Sequence, residues 1–147
     1  MTIRVPGGDH DENITTSNGG QWIRQSISES MTLATDGLTT DSTANLLPAN
    51  SIIEAVVARV TTTITTTTSW QLGDGTTAGR FTAANTTLTA NETDVGLLHR
   101  HGGISTDATG PVQIAAAKLR ITCADANPGA GVVRVTVFYS QFVPPTS

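Results

Sequence analysis

The sequence is poor in the residues that chemistry and covalent stapling depend on. Cys123 is its single cysteine, which excludes an intrachain disulfide and a multi-cysteine metal site. Aromatic residues are 4% of the chain, too few for a stacking platform that would hold single-stranded nucleic acid. Charged residues are 14%, and the net charge of -4 gives no general attraction to a polyphosphate, so no nucleic-acid partner is expected. No run approaches the ~20 apolar residues of a membrane helix, so no membrane partner is expected either. The opening stretch, MTIRVPGGDHDE, lacks the apolar segment of a secretory signal. Threonine fills the space these residues leave, with roughly 27 residues, well above ordinary usage. It is β-branched, suits a strand surface and disfavours a helix. Fourteen glycines and six prolines supply turns. At 147 residues the chain suits one domain, with or without an arm.

Residues 1–30 read as an extended N-terminal arm, and residues 31–147 as a β-sandwich domain. The arm has glycine pairs, an acidic cluster (Asp9, Asp11, Glu12) and little periodic hydrophobicity. Two apolar islands interrupt it, Ile3-Arg4-Val5 and Trp22-Ile23. These five residues are the candidates for partner binding, the alternative being that they cover an edge of the chain's own domain.

Strand patterns follow. Residues 28–34 alternate. The segment IIEAVVARV carries helix-compatible letters, but Pro48 before it and TTTITTTT after it decide for a strand. Strict alternation there puts Ile53, Ala55, Val57 and Arg59 on one face. Trp70 to Gly75 reads as a strand end and a turn. Residues 112–123 put Ala115, Ala117, Leu119, Ile121 and Cys123 on one face. Residues 132–143 do the same with Val133, Val135, Val137 and Tyr139. The Pro/Gly-rich loop between these two runs predicts that they pair as a hairpin. Seven or eight short strands imply an all-β, two-sheet antiparallel sandwich. Jelly-roll and immunoglobulin-like topologies both fit, and the missing cysteine pair tilts the choice to a jelly-roll-like sandwich.

Candidate chemistry is sparse. His99 and His101 share a face of a predicted strand, which makes them weak metal-ligand candidates, more simply read as surface histidines. Asp9-His10-Asp11-Glu12 lacks pre-organisation and reads as a solvated acidic segment. No Gly-x-Ser-x-Gly elbow is present. Asp74, Glu92, Asp94 and Asp107 lie near turns, where carboxylates serve structure. Gly73-Asp74-Gly75 has no Gly-Lys-Ser/Thr after it, so it is no phosphate loop. The three Asn-x-Thr matches are what a threonine-rich chain gives by chance. Cys123 reads as a small buried hydrophobe. No catalytic residue and no cofactor are expected.

The stretch TTDSTANLLPANSIIEAVVARVTTTITTTTSWQLGDGTTAGRF, with GPVQIAAAKLRITC and GAGVVRVTVFYSQFVPPTS, resembles a β-sandwich domain of tailed-bacteriophage virion proteins. That family includes capsid decoration (cement) proteins, head fibres and tail appendages. The likeness runs over about residues 36–147. It implies a jelly-roll-like domain that forms a homotrimer, and it carries no catalytic residues. The absence of a long shaft favours a cement protein, which would bind the major capsid protein and bridge its subunits. It would lie on the capsid surface of a virion assembled in the host cytoplasm, with its arm on the shell. The alternative is a receptor- or carbohydrate-binding module of a head fibre, tail fibre or spike. Such a module needs exposed aromatics in a groove, and Trp70, Phe81 and Tyr139 are expected to be core instead. The threonines of residues 61–68 read as an outward surface suited to packing against neighbours.

Overall fold

The computed structural model describes residues 21–96 and 112–143. All regular structure among them is strand: β1 (Gln21–Thr32), β2 (Thr39–Asp41), β3 (Ser51–Thr65), β4 (Trp70–Asp74), β5 (Thr82–Asn85), β6 (Thr93–Gly96), β7 (Val112–Gln113), β8 (Leu119–Cys123) and β9 (Ala130–Val143). One sheet has the order β1-β9-β3-β6, with β7 also on β3. The second has the order β2-β8-β4-β5. We call them sheet A and sheet B.

With the two-residue β7 set aside, the pairings nest. β1 meets β9, β2 meets β8, β3 meets β6 and β4 meets β5, all antiparallel. A long hairpin rolled upon itself gives this order, which is the jelly-roll topology. The expected fold class therefore holds.

The core lies between the sheets. Sheet A contributes Ile53, Val56, Ala58, Val60, Val133, Val135 and Val137, and sheet B contributes Trp70, Leu72, Leu119, Ile121 and Cys123. Leu46 and Leu47, after β2, close one side. Trp70 is fully buried, and its indole Nε1 donates to the Thr87 carbonyl at 2.7 Å, which satisfies its polar atom. Phe81 and Tyr139 are buried as well.

Three local expectations change. First, β1 begins at Gln21, so residues 21–30, assigned above to the arm, all belong to a strand paired with β9 along its whole length. Its sequence hides this because its inward row mixes Ile27 and Met31 with polar Gln25 and Glu29. Those polar groups are held locally. The Tyr139 hydroxyl donates to Gln25 Oε1 at 2.7 Å, and the Glu29 carboxylate accepts from the Thr43 and Ala44 amides. Second, β8 and β9 form no hairpin. Residues 124–129 carry the chain from sheet B to sheet A, and a Pro/Gly loop serves either purpose. The 112–123 run is also broken, because β7 and β8 lie in different sheets and Ala115 is exposed. Third, a bulge between Ile53 and Ala55 changes the phase of β3. Ile53 faces the core with Val56, Ala58 and Val60, while Ala55, Val57 and Arg59 face outward.

Candidate assembly surface

The outer face of sheet A is assembled from β1, β9, β3 and β7. Residues opposite each other in an antiparallel pair share a face. Ser140 lies opposite Arg24 on one side and Ile52 on the other, and Ile52 lies opposite Val112. One row further on, Phe138 lies between Ser26 and Ala55. Then come Thr136 between Ser28 and Val57, and Arg134 between Ser30 and Arg59. Trp22 lies beyond the Arg24 position on β1.

This face is apolar at one end. Trp22 is 53% exposed and Phe138 is 42% exposed, with Ile52 and Val112 also open to solvent. Ile114, just past β7, is 80% exposed. Isolated exposed apolar residues are ordinary, but several large ones clustered on one sheet face make a candidate interaction surface. Within the cluster, Glu54, the bulge residue, accepts from the Ser140 hydroxyl and lies 3.3 Å from Arg24 Nε. The bulge thus aims a carboxylate between β9 and β1.

The other end of the face is basic. Arg59 and Arg134 are exposed and directly opposite each other in the β3–β9 ladder. Like charges in that position repel. Arg59 donates to Asn91 Oδ1 at 3.0 Å, and among the described residues neither guanidinium pairs with a carboxylate.

Sheet B is built differently. Its outward residues include Gln71, Thr122 and the Asp41–Arg120 pair, in which both Arg120 donors reach the carboxylate, at 2.5 and 2.7 Å. The donated Arg120 bonds hold the Asp41 carboxyl below its ordinary value. The turn after β4 is locked by charge. Asp74 Oδ1 accepts from the Thr76 and Thr77 amides, while Arg80 Nη1 donates to Asp74 Oδ2 at 2.8 Å and to Gln113 Oε1 at 2.7 Å. Burial pushes the Asp74 carboxyl up, but those amides and Arg80 outweigh it and the net direction is down. This is a structural clamp joining the β4–β5 turn to β7.

The candidates read from sequence distribute as follows. Trp22 lies at the apolar end of the sheet A face, and Ile23, half-buried, alternates to the other face opposite Gln141. Ile3, Arg4, Val5, His99 and His101 lie outside the described residues. No group of three or more His, Cys, Asp or Glu among the described residues is placed to hold a metal ion. Cys123 is buried in the core, and burial pushes its thiol up. Phe138, Ile52 and Val112 were not among the sequence candidates because they come from three separate strands. The available signal was Phe138 standing among outward residues of β9.

No protein-family profile and no curated protein matches the chain. A chain from the solved capsid asymmetric unit of cyanophage Pam1 is similar, with a TM-score of 0.52 and 22% identity over 96% of this chain and 94% of that one. At that identity the likeness is one of fold.

Proposed function

We propose that this chain is a non-enzymatic structural protein of a tailed-phage virion, a trimeric capsid decoration (cement) protein that bridges major capsid subunits on the outer shell. The observation that carries the reading is the nearly end-to-end likeness to a chain of a phage capsid asymmetric unit. A single jelly roll of matching extent suits a shell component better than a module of a long fibre. The exposed apolar and basic face of sheet A supports it, since a solitary domain has no use for such a surface. Binding only to the assembled shell stabilises the shell by the binding free energy, and trimerisation multiplies weak contacts through avidity. For the receptor- or carbohydrate-binding alternative, Trp70, Phe81 and Tyr139 are buried, and the exposed Trp22 and Phe138 lie within strands β1 and β9 rather than in the loops at one end of the sandwich.

The test is co-sedimentation of the full chain with phage capsids stripped of it. Saturable binding in multiples of three copies, with a raised capsid melting temperature, is expected. Absence of capsid binding beside specific retention on a glycan array would overturn the reading.

A further inference from the structure

The sheet A face has an order along its length, and so do the residues that precede β1. Ile52 and Phe138 lie at the apolar end, and Arg59 with Arg134 lies six residues further along β9 than the Ile52–Ser140 row. At about 3.4 Å per residue that is roughly 20 Å. In the sequence, Val5 and Asp11 are also six residues apart, roughly 20 Å if extended. Alternation then puts Ile3, Val5, Asp9 and Asp11 on one face of the segment. The segment therefore matches the sheet in spacing, in facing and in charge.

We infer that residues 3–12 of one copy dock, extended, along the outer face of sheet A of a second copy, with Ile3 and Val5 on the Ile52–Phe138 end and Asp9 and Asp11 on Arg59 and Arg134. The inference rests on the assembly reading above and gives these residues a sister copy as their partner in place of the shell. The chain's own segment fits poorly for two reasons. It leaves β1 at Gln21, roughly 30 Å from the Ser30–Arg134 row, and Glu12 is also nine residues, roughly 30 Å, from Gln21. Nothing is left for the reversal. Even with Asp9 on the arginines, Ile3 and Val5 would lie beyond them, away from Ile52 and Phe138. A segment from another copy, running parallel to β3, satisfies both ends.

The test uses two charge-reversed full-length chains, Arg59→Glu/Arg134→Glu and Asp9→Lys/Asp11→Lys, followed by sedimentation against concentration. The unaltered chain is expected to self-associate, and each variant alone to associate about tenfold or more weakly. Mixed in equal amounts they regain association, because each segment then meets a face of opposite charge on the other chain. Three results overturn the inference: a monomeric unaltered chain, variants that associate normally, or a mixture that stays apart while all four changes in one chain restore the original state, which marks a contact within one copy. Melting curves check folding. If the reversed arginine variant fails to fold, Arg59→Gln/Arg134→Gln takes its place, and unchanged association there is equally contrary. Capsid co-sedimentation of the same samples separates the two proposals. Capsid binding without exchange sinks only the inference, and exchange without capsid binding sinks only the cement reading.

Discussion

Asp74 shows how much one residue organises in a chain with few charges. It binds two amides of its own turn and the buried Arg80, which is 5% exposed. Replacing that carboxylate weakens two amide bonds of the turn and a charge-assisted bond to a buried guanidinium, at a cost of about 3 kcal/mol. Asp74→Asn should therefore lower the unfolding free energy by about that amount in a urea titration. The pH dependence has a definite sign. The folded carboxyl lies below its ordinary value, so its contribution is present above the ordinary carboxylate range and lost as the pH falls through the depressed value. Asp41 and Glu29 shift in the same direction. Acid melts should show stability declining below about pH 4, with a shallower decline in Asp74→Asn. Next to it, a Cβ on Gly73 would stand 1.9 Å from the Thr77 carbonyl oxygen. Gly73→Ala must displace backbone, and about 3 kcal/mol or more of destabilisation is expected in the same titration. The sequence marked this turn, but the partner that locks it, Gln113, comes from β7.

At the scale of elements, the alternating cores of β8 and β9 were legible because a half-buried strand writes its period into its residues. Of β1 only the stretch from Ser28 was legible by its alternation, since polar Gln25 and Glu29 share the inward row with Ile27 and Met31. The β3 bulge was invisible for a related reason: one extra residue reverses the phase without altering composition. It makes a specific prediction. Deleting Glu54 removes the residue that has no ladder partner and leaves both faces as they are, so the variant should fold with a loss of about 1–2 kcal/mol. Deleting Val57, inside the regular ladder, turns the following side chains to the wrong face and should abolish cooperative melting. Equal melting of the two deletions would contradict the assigned register. The threonine run also gains a second role. Thr61 donates to the Val132 carbonyl, Thr63 accepts from the Ala90 amide, and Thr67 and Thr68 hold Asp125. Thr61, Thr62, Thr63, Thr65, Thr66 and Thr68 are exposed, as expected, and several of their hydroxyls also bind neighbouring segments.

For the whole molecule, the sandwich was readable from turn spacing and strand count, whereas the assembly surface was not. Trp22 was visible as an island, yet Phe138, Ile52 and Val112 join it only through the β1–β9–β3–β7 order. The two outer faces differ in kind: sheet B carries a self-paired Asp41–Arg120 couple, and sheet A carries exposed apolar groups and unpaired like charge. Trp22→Ser/Phe138→Ser should leave the melting temperature nearly unchanged, because both side chains are substantially exposed, while weakening self-association in sedimentation. An arm deletion must stop before β1. Removing residues 1–20 spares that strand, whereas removing 1–30 deletes most of it.

The central claim, a shell-bound jelly roll, is tested most directly by imaging the assembled virion at a resolution that resolves strands. The account predicts the two-sheet domain on the outer capsid surface in groups of three, with sheet A turned toward a sister copy. Finding the chain at the tail tip, or absent from the particle, would contradict it.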